Sequence, residues 1–381
     1  MEHVEGIEYY QAAAAVVHEA LKVVLERCTV GTPVASLCLL GDQTMDQYAS
    51  QICPGSQFAK GVAYPTSIAL NGQVQNVAVQ ADDKVTLQLA DVVKVEMAAH
   101  IDGHVASQAH TLVLNPNPQQ ALSDRRADTI CAAKIAHEAL LRRLRPGVES
   151  SELTTLGHEI VTTFQCAPVE ATYSFAIDRY VYPGSRMVPN RFRAEDNQPE
   201  FTFAVGDVFV LNTLVSSGPG QVRDAGDIRP TIYQRDVTQS YYLKMKSAAR
   251  FYDTVVQRHP VFPFTLRELS SGEDGLRMKL GLTECVQRGL VNPLIPLVEK
   301  RRNAFVAQFQ STVVITHKGP ACITPPQAMS FVHSQYNLPA GSNAVQVLNE
   351  PLEVVDLPAL ATIRITKGTD DKDEVAPMDM N

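Results

Sequence analysis

The sequence predicts an α/β domain assembled from two similar halves, with a helical module set into the second. Three observations predict it. The tetrapeptide His18-Glu19-Ala20-Leu21 recurs as His137-Glu138-Ala139-Leu140, an offset of 119 residues. The same offset, without a gap, pairs Val16 with Ile135, Leu25 with Leu144 and Leu37 with Leu156. Each copy also reads in the same order: helix, break, helix, strands. A repeated helix pair followed by strands must bury its apolar faces in layers, which gives a pseudo-two-fold α/β arrangement.

The elements follow in order. Over residues 8–28, Val17, Leu21, Val24 and Leu25 recur at three- and four-residue steps, the period of a helix with one buried face. Gly31-Thr32-Pro33 breaks it, and a second helix is expected over about 34–52. GVAYPTSIAL at 61–70 is rich in strand formers. Residues 91–113 read as a hairpin: Val93, Val95 and Met97 alternate toward a turn at Ile101-Asp102-Gly103, and Val105 follows. A turn centred on Ile101-Asp102 sets Ser107 opposite Glu96. A long helix over about 120–145 stops at Arg145-Pro146-Gly147, and another starts near Ser150-Ser151-Glu152 and runs to about 165. DVFVLNTLVSS at 207–217 and AFVAQFQSTVVIT at 304–316 are further strands.

Bulk properties bound the function. In 381 residues, 45% hydrophobic and 19% charged, there is material for a large core. A net charge of −8 excludes a uniformly basic nucleic-acid glove. Cysteines at 28, 38, 53, 131, 166, 285 and 322 form no C-x-x-C pair, so reduced thiols are expected and not a disulfide frame or zinc ribbon. Met1-Glu2-His3-Val4-Glu5 lacks a signal peptide's basic start, and no run reaches the roughly 18 apolar residues of a membrane span, so a soluble intracellular chain is expected.

Charge is unevenly placed. Lys244 to Arg302 holds 11 Lys and Arg against 6 Asp and Glu, whereas the remainder holds 22 against 35. The expected organisation is therefore a main domain from 1–243 and 301–366, a basic helical insert at 244–300, and an acidic disordered tail at 367–381.

Several strings resemble a known family. Gly61-Val62-Ala63-Tyr64-Pro65-Thr66-Ser67 resembles the substrate-pocket strand of type 2 methionine aminopeptidases. Asp91-Val92-Val93-Lys94-Val95-Glu96 with Asp102-Gly103 resembles their metal hairpin, and Ala307-Gln308-Phe309-Gln310 their last ligand strand. A helical insert before that strand separates type 2 from type 1. Leu214-Val215-Ser216-Ser217-Gly218, Arg223-Asp224-Ala225-Gly226, Thr231-Ile232-Tyr233-Gln234-Arg235-Asp236, Leu243-Lys244-Met245-Lys246 and Pro263-Phe264-Thr265-Leu266-Arg267 resemble more closely the proliferation-associated, ErbB-receptor-binding protein family. The likeness covers about 10–360. It implies the pita-bread fold, in agreement with the internal repeat.

The peptidase relatives hold two divalent ions with acidic hairpin and strand residues, a histidine and a final glutamate. Two such cations need several anionic oxygens and an imidazole. Carried over by resemblance, those positions fall on Glu96, Ser107, Phe175, Asn212 and Gln310, and the pocket histidine on Asn76. One carboxylate remains. The expectation is a metal-free polar core without cofactor, in which Asn212 and Gln310 bond to each other and to Ser107. His100, Asp102 and His104 flank a turn, and Ser216-Ser217-Gly218-Pro219-Gly220 lacks a P-loop lysine, so neither is read as a site.

The family likeness implies a non-enzyme: a monomeric, RNA-binding pseudoenzyme of the ribosome, cytoplasmic with a nuclear and nucleolar share. Its partners would be the large ribosomal subunit, rRNA and ribonucleoprotein, and its role ribosome biogenesis, translation or growth regulation. Lys244, Lys246, Arg250, Arg258, Arg267, Lys300, Arg301 and Arg302 are the expected phosphate contacts. Asp370-Asp371-Lys372-Asp373-Glu374 departs from the lysine-rich tail of animal members, so tail-mediated RNA binding is not carried over. Two alternatives stand beside this: an aminopeptidase with altered ligands, and a pocket that holds a protein N-terminus without cutting it.

Overall fold

The computed structural model describes residues 4–80, 83–115, 117, 119–193, 195–196, 198–226, 228–267 and 274–365. The acidic tail expected at 367–381 lies outside them. Four helices carry the repeat: α1 (Ile7–Arg27), α2 (Val34–Gln51), α3 (Arg125–Arg143) and α4 (Ser150–Thr163). Strands of the first half are β1 (Lys60–Leu70), β2 (Gln73–Gln75), β3 (Val92–Ile101) and β4 (His104–Val113). Those of the second are β5 (Ala167–Pro168), β6 (Tyr173–Ala176), β7 (Met187–Pro189), β8 (Val208–Ser216) and β9 (Val222–Asp224).

The large sheet runs β1-β3-β4-β14-β8-β6-β7, where β14 is Val306–Thr316. Helices α1 and α2 cover the β1-β3-β4 side, and α3 with α4 covers the β8-β14 side. Each half has its own core. Ala20 and Leu21 enter the first; their repeat partners Ala139 and Leu140 enter the second. α1 has no side-chain cap, and ten of its residues are buried. Packing therefore decides it, at ~1.5–3 kcal/mol for each large apolar side chain removed from water. α3 and α4 are capped, by Asp124 on the Arg126 N–H and by a Glu149–Glu152 capping box.

The halves meet at β4 and β14. In backbone register this joint holds one paired position, Gln310 with Ala109. Side chains knit the rest. Thr312 Oγ1 accepts from the Ser107 N–H at 2.8 Å and donates to the Ser107 carbonyl at 3.0 Å. Thr111 Oγ1 does the same for Gln308, accepting its N–H at 2.7 Å and donating to its carbonyl at 2.6 Å.

Segment 244–300 holds α5 (Lys246–Arg258), α6 (Asp274–Gln287) and strands β11 (Phe264–Thr265), β12 (Val291–Leu294) and β13 (Leu297–Glu299). β11 and β12 flank β10 (Ile232–Arg235), which precedes the segment, while β13 joins β2 and β9 of the main body. Ala248, Phe251 and Val255, spaced three and four apart on α5, pack with Leu282 and Cys285 of α6 in a separate small core. No described helix is long and apolar enough to cross a membrane.

The β3-β4 hairpin corrects one expectation. Asp102 and Gly103 both take left-handed backbone (φ 50° and 81°), as a two-residue type I′ turn requires. Ile101 thus pairs with His104, Glu96 with Ala109, and Ser107 with Ala98. Ser107 is not opposite Glu96, because the turn centre lies between Asp102 and Gly103. It remains on the same face, since Glu96 and Ala98 are two residues apart on one strand.

Candidate functional site

Register alone brings the expected positions together. Glu96 pairs with Ala109, Ala109 with Gln310, and Gln310 with Asn212, across β3, β4, β14 and β8. Paired residues share a face, so these side chains, with Ser107, point to one side of the sheet. Phe175 pairs with Val210, two residues from Asn212, and joins that side. Asn76, at positive φ (60°), reaches in from beyond β2.

Hydrogen bonds give the cluster a direction. Ser107 donates to Gln310 Oε1 at 2.6 Å, and Gln310 Nε2 donates to Glu96 Oε1 at 3.1 Å. Since the Ser107 proton is committed, the Tyr182 hydroxyl, 3.2 Å away, donates to Ser107. The Tyr64 hydroxyl donates to Asn76 Oδ1 at 3.0 Å, and Asn76 Nδ2 to the Ile295 carbonyl at 3.0 Å. The Phe175 ring packs edge-on against Tyr182 with centroids 5.2 Å apart.

Asn212 departs from expectation. Its Oδ1 accepts from Gln308 Nε2 at 3.0 Å and its Nδ2 donates to the Tyr173 carbonyl at 3.4 Å. Gln310 is already held by Ser107 and Glu96, so the two amides do not bond to each other. Gln308, Tyr64 and Tyr182 complete the cluster. Gln308 was legible as the residue two before Gln310 on one strand face; Tyr182 lies in a loop with no periodic signal.

Burial governs the acid–base states. Desolvation raises the Glu96 pKa above its ordinary value, and the amides of Gln308 and Gln310 act the other way. Burial also raises both phenols, Tyr64 and Tyr182, with the Glu96 charge adding to it. The phenols therefore stay protonated and donate.

This donor set does not fit two divalent cations. It offers one carboxylate, amides, hydroxyls and a phenyl ring, and an amide N–H is bonded to one oxygen of that carboxylate. Among the described residues no three His, Cys, Asp or Glu side chains gather as a metal site. The turn histidines diverge: His100 lies on the Phe262 ring at 4.6 Å and His104 stacks on Tyr9 at 4.9 Å. In the 216–220 loop, Glu299 occupies the donors an anion would use, accepting from Ser216 Oγ and from the Gly220 N–H.

The expected basic residues divide. Lys244, Lys246, Arg250 and Arg258 are exposed along the entry to the insert and α5. Lys300, Arg301 and Arg302 are exposed in the loop between β13 and β14, beside a concave space of about 630 Å³ that Arg126 and Arg223 also line. Arg267 is not on the surface. Its side chain is 1% exposed and pairs at 2.7 Å with Asp42 of α2, itself 2% exposed. An apolar enclosure would strand either charge alone, so the two are buried together.

Comparison with known proteins places this geometry. Residues 8–258 match the model of metallopeptidase family M24. The chain belongs to that family. Within it stand "ERBB-3 BINDING PROTEIN 1" of Arabidopsis thaliana, 32% identical over 84% of this chain and 80% of the relative, and "Proliferation-associated protein A" of Dictyostelium discoideum, 30% identical over 87% and 85%. The solved structure of "a thermophilic Arx1" superposes with a TM-score of 0.82 at 24% identity, covering 91% of this chain and 98% of that one. This M24 member therefore has the pita-bread fold that its repeat foreshadows, and it groups with the proliferation-associated proteins.

Proposed function

We propose that this M24 member is catalytically inactive and acts as a binding protein on the large ribosomal subunit, through rRNA and ribonucleoprotein contacts. The observation that carries the first part is the hydrogen-bonded chain Tyr182–Ser107–Gln310–Glu96, which ties three of the expected ligand positions to one another, while Asn212 is held by Gln308 and Tyr173. A site with one carboxylate, tied to an amide, lacks the anionic ligands that two cations and a shared hydroxide need. The second part rests on exposed cations. Lys244, Lys246, Lys300, Arg301 and Arg302 have no side-chain partner among the described residues, and unpaired Lys and Arg are what phosphate backbones recruit. Residence in the cytoplasm, with a nucleolar share during subunit assembly, goes with that reading.

The test is co-sedimentation of the purified chain with 60S subunits across a salt series, beside a variant with those five residues changed to Glu. Salt-sensitive binding lost on charge reversal is expected. Absence of binding by the wild type at low salt would overturn the ribosomal part. Stoichiometric zinc, cobalt or manganese with release of methionine from a peptide would overturn the inactive part.

A further inference from the structure

Directly ahead of α5, residues 236–245 carry exposed apolar side chains beside Leu243, which packs on the small core. Tyr242 is 83% exposed, Val237 59%, and Tyr241 and Met245 43% each. Single exposed apolar residues are ordinary; four within ten residues are not. Cations are interleaved with them. Lys244 and Lys246 are exposed, and the Arg288 guanidinium lies over the Tyr241 ring, 4.7 Å from its centroid, tethered by Glu284 at 3.0 Å. Asp236, the acidic neighbour, is engaged by Thr238 and Asn292. The start of α5 adds to the positive character: Met245 offers no side-chain cap and the first turn has no acid.

We infer that this segment is a stacking platform for unpaired RNA, with Tyr242 taking a base and Lys244 and Lys246 the flanking phosphates. The inference rests on the RNA-binding reading above and adds a chemical preference to it. A duplex hides its base faces and meets only the cations. An unpaired stretch offers both a π-face and a phosphate chain, which is the pairing of groups the segment presents. An RNA strand carries a phosphate with every base, so a base on Tyr242 brings anionic charge to the neighbouring lysines without further requirement, whereas a protein partner would need carboxylates placed to match; charge complementarity favours RNA.

Fluorescence anisotropy with the full chain tests this, using a labelled ten-nucleotide uridine oligomer and a labelled RNA duplex of similar charge. Tyr242→Ala is expected to weaken oligomer binding about 5- to 150-fold, the range for losing one stacked base, and to leave duplex binding unchanged. Tyr242→Phe should keep the wild-type affinity, because the ring and not the hydroxyl carries the contact. Equal losses on oligomer and duplex would overturn the platform. So would an oligomer that fails to bind a wild type still sedimenting with 60S subunits, and in that case the ribosomal reading survives. Failure of the wild type with oligomer, duplex and subunits alike would remove both. Self-association in sedimentation velocity that Tyr242→Ala abolishes would reassign the patch to a protein contact and overturn the inference.

Discussion

The buried pair Asp42–Arg267 offers the sharpest test of how segment 244–300 is held to the first half. Arg267 donates to Asp42 Oδ2 through Nη2 at 2.7 Å and Nε at 3.2 Å, and to the carbonyls of Thr66 and Val79 at 3.0 Å each. Asp42 Oδ1 accepts the Thr66 N–H at 2.7 Å. Gly41 lets α2 approach this closely, since a Cβ there would collide with Thr66. Replacing Arg267 by Met leaves a carboxylate buried without its cation, which costs about 3–5 kcal/mol. Unfolding entropy near ~2.1 cal/mol/K per residue gives roughly 0.8 kcal/mol/K for 381 residues. The expected fall in Tm is then about 4–6 °C. Scanning calorimetry measures it, and limited proteolysis should show earlier cleavage within 259–275. The double variant Asp42→Leu/Arg267→Met removes both charges and should recover at least half of the loss, because the penalty lies in the orphaned charge and not in the missing bridge. An Arg267→Met chain melting within about 1 °C of wild type would refute the reasoning.

Other outcomes follow from the buried groups. Glu96→Gln should raise Tm at neutral pH. The folded pKa of Glu96 is raised, so its charged form opposes folding, and the variant's advantage should shrink as pH falls through the raised folded value toward the ordinary carboxylate value and be gone below it. Gln310→Glu should do the reverse, facing two carboxylates across one hydrogen bond and costing roughly 3 kcal/mol at pH 7, with the loss easing in acid. Burial lowers His100, His110 and His259 to about 4 and His137 to about 3. The unfolded chain binds those protons near 6.5, so stability should fall from about pH 6.5 toward pH 4, by up to ~1.4 kcal/mol per pH unit for each group. His137→Gln should flatten that slope by one proton in pH-dependent denaturant melts.

The repeat was the most legible part of the fold, because burial at Leu21 and Leu140 or Leu37 and Leu156 leaves the same apolar mark in each half. Strand register was less so. The turn at Asp102-Gly103 needs two left-handed residues, and composition allows its centre to slide by one residue, enough to move the partner of Ser107 by two, from Glu96 to Ala98. The positions of Glu96, Asn212 and Gln310 were legible through resemblance, but not the partners they choose: those depend on Gln308 and Tyr182, delivered by register and by a loop. Arg267 shows the limit of charge counting. A lone arginine near other basic residues reads as surface until Asp42, 225 residues away in sequence, is seen beside it.

The joint between the halves also bears on how such a chain can change. One backbone pair and a few side chains fasten β4 to β14, and Ser107 and Gln310 belong to that fastening. A single mutation toward a ligating carboxylate meets Glu96 at the seam and is penalised before any cation could repay it. The seam therefore couples chemistry to stability: a substitution that adds charge at Gln310 or Ser107 is felt by the joint between the halves as well as by the pocket.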